Sequence, residues 1–318
     1  MLATCQTPSV WQRPLQCPGA AAVSRQAHAP AHRVGLRVSG ATPSGVPVRL
    51  VATDVDGTLL DSGHSLGEEN AAALRRCQEQ YGIEVVIATG KARGPWAAQV
   101  LPALGLGTEC TAIFLQGLYV TRGDEVVYER PMDEALLTLA LEFHAEHAPR
   151  SGTVALYCGT EILCHTPDAQ TDRLLPYGEP VPSGRGDLLA NVVGVTPVHK
   201  LLYLGAEEDL AALRPALEQT LGDRATVVKA IDGMLEVLPP GASKGAALRR
   251  LLEERNLDPS AMLALGDGEN DVEMLRLAGT GVAMQNAVQA AKDAADFVLD
   301  QSNDEAGVAA ALERFVFT

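Results

Sequence analysis

The chain has 318 residues, enough for one large domain or two ordinary ones, and its 40 acidic and 25 basic residues give a formal charge of −15. Residues 1–53 contain five arginines and no Asp or Glu, so the rest of the chain carries about −20, and its repulsion of a phosphate backbone argues against a nucleic-acid partner. No run of about 18 apolar residues occurs, which argues against a membrane-spanning segment and a membrane partner.

Residues 1–46 have the composition of a targeting leader. They carry arginines, are rich in Ala, Ser, Pro and Val, and lack the continuous apolar core of a secretory signal. These features are typical of an organelle transit peptide, with a merely disordered tail as the alternative. We therefore predict a location in the plastid stroma, with the mitochondrion or the cytoplasm as alternatives.

From residue 47 onward, short apolar runs alternate with amphipathic stretches, which predicts a parallel sheet with crossover helices. Ser65 and Glu68 have the spacing of a capping box and predict a helix start at residue 65. The predicted strands cover 49–53, 84–88 and 111–115, the predicted helices cover 65–80 and 94–101, and a hairpin joins 118–121 to 125–129.

The middle of the chain has a different pattern, with helix–strand–strand followed by strand–helix–strand–strand. The predicted helices cover 133–147 and 207–220, the predicted strands cover 153–157, 161–164, 198–204, 224–230 and 234–238, and a Pro- and Gly-rich passage covers 176–186. This order predicts an α+β insert over residues 131–238.

After the insert the alternation of strands and helices resumes. Helices are predicted at 243–255, 269–278, 287–294 and 304–315, and strands at 262–265, 281–283 and 297–299. The predicted domains are therefore a leader over 1–46, a core made of 47–130 and 239–318, and the insert between them. In an open α/β sheet the ligand crevice lies beyond the carboxyl ends of the strands.

Two acidic clusters follow predicted strands. Asp54 and Asp56 come after the first strand, and Asp267 and Asp271 fall within the run 266–271 after a later one. Two like charges about 4 Å apart repel by roughly 4 kcal/mol at an effective dielectric near 20. Four carboxylates in one pocket therefore require a divalent cation, and an oxygen-only ligand set suits Mg²⁺.

The residue types at the strand ends fit phosphoryl transfer. Asp54 can act as a nucleophile that takes the phosphoryl group, and Asp56 as the general acid and base. A hydroxyl, a bare amide, an ammonium at a helix start and a side-chain amide can hold phosphate oxygens; these groups belong to Thr89, Gly90, Lys244 and Asn270. Each signal alone is equally an ordinary turn, cap or solvated side chain, but their joint occurrence favours chemistry.

These motifs resemble those of the haloacid dehalogenase superfamily of phosphohydrolases. The matching segments are 54–60, Thr89-Gly90, Lys244 and 266–271, and the insert with the run 235–245 resembles the Cof-type branch with a C2B cap. The resemblance covers roughly residues 48–315. It implies an α/β fold with a Rossmann-like parallel-sheet core and the α+β cap at 131–238.

By this resemblance Asp54 is the nucleophile and Asp56 the general acid and base. Mg²⁺ would be held by Asp54, the backbone carbonyl of Asp56 and Asp267, with Asp271 close by. Phosphate would be bound by Thr89, Gly90 and Lys244, with Asn270 beside them. The implied activity is Mg²⁺-dependent hydrolysis of small phosphomonoesters, such as sugar phosphates or nucleotide-like metabolites, through an aspartyl phosphate.

Two alternatives remain at this stage, a phosphomutase of the phosphomannomutase type and a non-catalytic binding module on the same scaffold. Two positions depart from the family pattern. Lys91 stands where Arg is frequent, and Gln116-Gly117 replaces the usual Asn-Gly. Three polar residues of the insert could face the crevice or lie on the surface, and the sequence assigns none of them; they are His165, Asn191 and Lys200. The oligomeric state is not predicted.

Overall fold

The computed structural model describes residues 45–107, 109–148 and 150–317. The predicted leader lies outside these residues except for its last two positions. The strands are β1 Leu50–Thr53, β2 Glu84–Ala88, β3 Thr111–Phe114, β4 Tyr119–Arg122, β5 Glu125–Glu129, β6 Thr153–Cys158, β7 Glu161–Cys164, β8 Ser183–Gly184, β9 Lys200–Leu204, β10 Thr226–Ile231, β11 Met234–Leu238, β12 Met262–Gly266, β13 Thr280–Ala283 and β14 Phe297–Val298.

The α-helices complete the order of elements. They are α1 Glu68–Tyr81, α2 Pro95–Leu104, α3 Glu134–His147, α4 Leu188–Asn191, α5 Glu207–Leu221, α6 Lys244–Arg255, α7 Val272–Leu277, α8 Gln289–Ala294 and α9 Gly307–Phe315. Within the described ranges no helix has the length and apolar character that crossing a bilayer would need.

An eight-stranded sheet in the order β14-β13-β12-β1-β2-β3-β4-β5 forms the core. Neighbours are parallel from β14 to β3, and β4 and β5 add an antiparallel edge. Alternate residues of the central strands pack on α1, α2 and α9 on one face and on α6, α7 and α8 on the other. Because both faces are covered, the central strands are apolar throughout, as in doubly wound sheets.

A second sheet in the order β10-β11-β9-β6-β7-β8 lies in the region predicted as the insert, and its neighbours are antiparallel except β7 and β8. Helices α3 and α5 cover one face, where their leucines pack against Leu156, Leu201 and Val237. Because successive side chains alternate between faces, Tyr157, Lys200 and Glu236 are on the opposite face, toward the core. We call this second sheet and its helices the cap; the division at residues 131 and 238 stays a prediction.

Three predicted helix starts were wrong by three residues; the one predicted at 304 lies in a 3₁₀ turn over Asn303–Glu305, and α9 begins at Gly307. Helix α1 begins at Glu68 after Gly67, without a side-chain cap, because Ser65 is held in a turn by backbone and side-chain hydrogen bonds to Asp61. The helix predicted at 269–278 is a 3₁₀ turn over Glu269–Asp271 followed by α7. Hydrogen bonds to the side chain of Asp271 cause this turn.

Candidate active site

The predicted site residues converge because of the strand order. β1 pairs in parallel with β12 on one side and with β2 on the other, so the carboxyl ends of all three strands meet at one edge. Beyond that edge, a crevice with a cavity volume of about 110 Å³ separates the core from the cap. Six predicted residues line it, namely Asp54, Asp56, Thr89, Gly90, Asp267 and Asn270, while Lys244 and Asp271 are buried behind them.

Three carboxylates share the floor of the crevice. Asp54, Asp267 and Asp271 each offer an oxygen, and these oxygens lie within 4.8 Å of one another. The Nζ of Lys244 donates to Asp54 Oδ1 at 2.5 Å and to Asp271 Oδ1 at 2.7 Å. One ammonium therefore faces three carboxylates in a largely buried cluster, and a negative charge remains uncompensated.

Burial and mutual repulsion shift the pKa values of this cluster. Burial and the charge of Asp271 raise the pKa of Asp54 well above its usual range, although Lys244 opposes the shift. Burial and Asp271 likewise raise the pKa of Asp267 to about 7. Raised values of this kind show that the site disfavours its own negative charge, and an oxygen-only donor set in that state fits a hard divalent cation.

Asp271 organises the loop that carries the second acidic cluster. Its Oδ2 accepts the backbone N–H groups of Asp267 and Gly268, both at 2.9 Å, while its Oδ1 holds Lys244. These bonds draw the chain into the 3₁₀ turn that precedes α7. The side chain predicted to stand near the metal is therefore held in place by three hydrogen bonds.

Gly57 and Thr58 fix the position of Asp267 from the other side. Thr58 Oγ1 donates to Asp267 Oδ1 at 2.7 Å. Gly57 has φ of +79°, and a Cβ built there would lie 2.4 Å from Asp267 Oδ2. Only glycine fits both the left-handed backbone and this close approach, because a side chain would displace the carboxylate.

Asp56 lies apart from the three-carboxylate cluster and is held by two basic side chains, Lys91 and His64. Its Oδ1 is 3.0 Å from Lys91 Nζ and 3.4 Å from His64 Nδ1. Burial opposes ionisation, but the hydrogen bond of His64 and the ammonium of Lys91 outweigh it and hold the pKa of Asp56 below its ordinary value. The carboxylate is thus kept ionised and oriented in the crevice wall.

Lys91, the first departure from the family pattern, is therefore a partner of Asp56. It is buried, and its ammonium lies 4.8 Å from the centre of the Trp96 ring. Its backbone N–H donates to Thr89 Oγ1 at 3.1 Å, which leaves the hydroxyl proton of Thr89 available to another acceptor.

The sequence did not identify the polar wall that the cap presents to the crevice. Lys200 and Glu236, each 2 % exposed, form an ion pair, and Lys200 Nζ also donates to the carbonyl of Gly90 at 2.6 Å. Gln116, the second departure, donates from Nε2 to Glu236 Oε2 at 2.7 Å. A single charged residue in each of two otherwise apolar strands, β9 and β11, was the available signal.

Of the three insert residues left unassigned by the sequence, the structure places only Lys200 in the crevice. His165 and Asn191 are exposed and contact their own neighbourhood, Thr166 and the carbonyl of Arg185. Glu179 also lines the crevice, from within the Pro- and Gly-rich passage. It accepts the Ala92 N–H at 3.0 Å, and burial raises its pKa to about 7.

The model of the haloacid dehalogenase-like hydrolases matches residues 51–312. The chain belongs to this family. Two relatives illustrate its range. The HMP-PP phosphatase of Cronobacter sakazakii is 32% identical over 249 residues, which are 76% of this chain and 85% of that protein. A chloroplastic protein of Arabidopsis thaliana named endoribonuclease YBEY is 35% identical over 279 residues, 83% of this chain, but the chain spans only 46% of its length.

The fold is shared with solved members of the family. A haloacid dehalogenase-like hydrolase from Bacteroides thetaiotaomicron superposes with a TM-score of 0.73 at 28% identity, over 84% of this chain and 99% of that one. The prediction of a haloacid dehalogenase-type, Cof-type phosphatase is confirmed, as is that of a Rossmann-like parallel-sheet core with a cap.

Proposed function

We propose that this hydrolase cleaves small phosphomonoesters in a Mg²⁺-dependent reaction through an aspartyl phosphate on Asp54. The observation that carries the proposal is the cluster in which Asp54, Asp267 and Asp271 face the single ammonium of Lys244. Such a site would offer a nucleophile at a strand end and a surplus of negative charge that a divalent cation would offset.

Asp54, Asp267 and the backbone carbonyl of Asp56 would hold the Mg²⁺ ion, with Asp271 close by. When bound, the ion offsets the surplus negative charge and draws electron density from the phosphoryl oxygens. The raised pKa values of Asp54 and Asp267 support this assignment, because a cation that favours the ionised carboxylates relieves the cost of their burial.

The protein's own groups carry the two chemical steps. A carboxylate oxygen of Asp54 forms a bond to phosphorus while the bond to the ester oxygen breaks, and Asp56 gives its proton to that oxygen. Asp56 then takes a proton from water as the water oxygen bonds to phosphorus and Asp54 is released. Asp56 is ionised before substrate arrives, and the negative charge of the incoming phosphate would favour its protonation.

The phosphate would be held by groups already placed around Asp54. Lys244 lies at 2.5 Å from the nucleophile, and Thr89 keeps a hydroxyl proton to donate. Gly90 and Asn270 line the same crevice and complete the proposed set. Closure of the crevice by the cap would keep out bulk water, which could otherwise compete with Asp54 as the nucleophile.

Small phosphorylated metabolites, among them sugar phosphates and nucleotide-like compounds, are the proposed substrates. The crevice is lined by polar side chains from both the core and the cap, and the relative from Cronobacter sakazakii is named for one such compound. The acidity of the described body disfavours nucleic acid, so we do not extend the ribonuclease name of the Arabidopsis relative to this chain.

A screen for phosphate release across a panel of phosphorylated metabolites, with Mg²⁺ and with a chelator, tests the proposal. We expect release of inorganic phosphate from a subset of compounds, and loss of release under chelation. Isomerised phosphosugar in place of free phosphate would favour the phosphomutase alternative. A catalytically dead Asp54→Asn protein that still supports the growth of a knockout strain would favour the binding module.

We further propose that the protein works in the plastid stroma. The support is the composition of residues 1–46 and the chloroplastic Arabidopsis relative. A fluorescent protein fused behind residues 1–46 should enter plastids in plant cells, and retention in the cytoplasm or entry into mitochondria would correct the assignment.

A further inference from the structure

One buried acceptor in the crevice has no partner among the residues that the structure describes. Gln116 is 1 % exposed and lines the crevice, and its Oε1 receives no hydrogen bond. A buried carbonyl oxygen without a donor is costly, and such groups in native proteins call for an explanation. A ligand that donates to Oε1 is the explanation that its position supports.

The orientation of this amide is fixed by its neighbours. The other end, Nε2, lies 2.7 Å from Glu236 Oε2, and Glu236 is paired with the ammonium of Lys200. A carboxylate in an ion pair only accepts hydrogen bonds, so the NH₂ group of the amide must face Glu236. The carbonyl oxygen must then face the other way, and it cannot exchange places with the nitrogen without losing that bond.

The backbone also holds Gln116 at an energetic cost. Leu115 and Gln116 have φ of +51° and +56°, in the left-handed region that residues with a Cβ seldom adopt. Strain of this kind persists where the surrounding structure requires a particular side-chain position, and it concentrates at functional sites. The backbone conformation and the hydrogen bond to Glu236 together fix the position of the amide.

The amide lies next to the proposed phosphate position. A Cβ built on Gly90 would fall 2.5 Å from Gln116 Nε2, so the amide packs directly on the glycine that ends β2. Asp54 and Gln116 line the same crevice. Oε1 is bonded to the same carbon as Nε2, so a ligand donor that reaches it would lie near the proposed phosphate position, on the first carbons of the leaving alcohol.

We propose that Gln116 is a specificity residue whose carbonyl oxygen accepts a hydrogen bond from a hydroxyl group on the leaving alcohol, close to the ester oxygen. The inference rests on the proposed phosphatase function and narrows its substrates to phosphomonoesters of polyhydroxylated alcohols, such as polyol and sugar phosphates. Plain alkyl phosphates would leave Oε1 unpaired in the closed crevice, and the enzyme would discriminate against them.

The test compares two esters with the same carbon skeleton, sn-glycerol 3-phosphate and n-propyl phosphate, by the kcat/KM for phosphate release with Mg²⁺. In the wild type we expect glycerol phosphate to be preferred by about tenfold or more, the effect of one buried acceptor left unpaired. 3-Hydroxypropyl phosphate, which lacks only the hydroxyl nearer the ester, should behave like propyl phosphate. This comparison needs no variant.

Gln116→Met removes the acceptor at nearly constant size and at the same backbone strain, and the preference should fall to within about twofold. Because the ratio is taken within one preparation, a lower folded fraction does not change it. Gln219→Met, the same change at an exposed position of α5, should keep the wild-type ratio.

An equal kcat/KM for the two esters in the wild type, or an undiminished preference in Gln116→Met, would overturn the inference. So would a wild type that hydrolyses other phosphate esters but neither of these. In all three cases phosphate release itself still supports the proposed function. No phosphate release from any ester by the wild type would instead remove the proposed function, and the inference with it.

Discussion

The crevice has a floor, formed by Asp54, Asp267, Asp271 and Lys244, and a cap wall, formed by Lys200 and Glu236. Both are largely buried and charged, but they differ in the balance of positive and negative charge. On the floor, Asp54, Asp267 and Asp271 outnumber the single ammonium of Lys244. On the cap wall, Lys200 and Glu236 neutralise one another, and Gln116 of the core, beside them, has one acceptor without a partner among the described residues. A cluster with surplus negative charge attracts cations, whereas a wall without net charge can distinguish ligands only by their uncharged groups.

The largest effect is expected at the floor. Asp54→Asn removes the nucleophile, so turnover should fall by more than ~10³-fold in a phosphate-release assay with Mg²⁺. The melting temperature should stay close to that of the wild type, because the neutral amide also removes a carboxylate from a crowded cluster. Substantial residual turnover in this variant would refute the role of Asp54.

Substitutions in the cap wall should change the free energy of unfolding. Lys200→Met leaves the buried Glu236 carboxylate without its partner, and unfolding in urea should show a loss of about 3–5 kcal/mol. The double variant Lys200→Met with Glu236→Met should recover most of that loss. As a control, Arg214→Met breaks a half-exposed contact between cap and core, to Glu269, and should cost under about 1 kcal/mol. Equal losses of stability in Lys200→Met and Arg214→Met would contradict the distinction between the buried ion pair and the half-exposed contact.

A smaller effect is expected in two glycine variants, which distinguish the cost of backbone strain from damage to the proposed metal site. Gly57→Ala and Gly82→Ala both place a Cβ on a left-handed backbone, at φ of +79° and +62°. Each should lose about 1–2 kcal/mol of stability. The added Cβ meets Asp267 only in Gly57→Ala, since the space beside Gly82 is open. Only that variant should therefore need more Mg²⁺ for half-maximal activity, by about tenfold. An equal increase in the Mg²⁺ requirement of Gly82→Ala would contradict this explanation.

The smallest expected effect is on the pH dependence of the melting temperature. Burial raises the pKa of Asp267 from 3.8 to about 7, so folding favours its protonated form. Its contribution to stability is complete below about pH 4 and disappears as the pH rises through 7. Without metal, the protein should therefore melt a few degrees lower at pH 8 than at pH 5, and Mg²⁺ should raise the melting temperature more at pH 8.

The control for this pH effect is Glu179 in the cap wall, whose pKa is also raised to about 7. It belongs to no carboxylate cluster, so Glu179→Gln should leave the pH dependence of the Mg²⁺ effect intact, while Asp267→Asn should abolish it. An Mg²⁺ effect of equal size at both pH values would show that the ion does not compete with protons at this cluster.

The floor was predictable from the sequence because its parts are local signals. Asp54 and Asp267 follow apolar runs, and parallel strands bring their carboxyl ends to one edge. The cap wall was not predictable, since Lys200, Glu236 and Gln116 stand far apart in the chain and meet only through the register of two sheets. Helix starts at Ser65 and Glu269 were misplaced because local hydrogen bonds from the backbone to the carboxylates of Asp61 and Asp271 hold the chain in turns before α1 and α7.

The central claim is that an oxygen of Asp54 bonds to phosphorus. The direct measurement is an acid quench during turnover of sn-glycerol 3-phosphate or the best substrate from the panel, followed by peptide mapping with mass spectrometry. The account predicts a phosphoryl group on the peptide that contains Asp54, absent from Asp54→Asn. A phosphoryl group on another residue, or turnover with no phosphorylated protein under quenching conditions that preserve acyl phosphates, would contradict it.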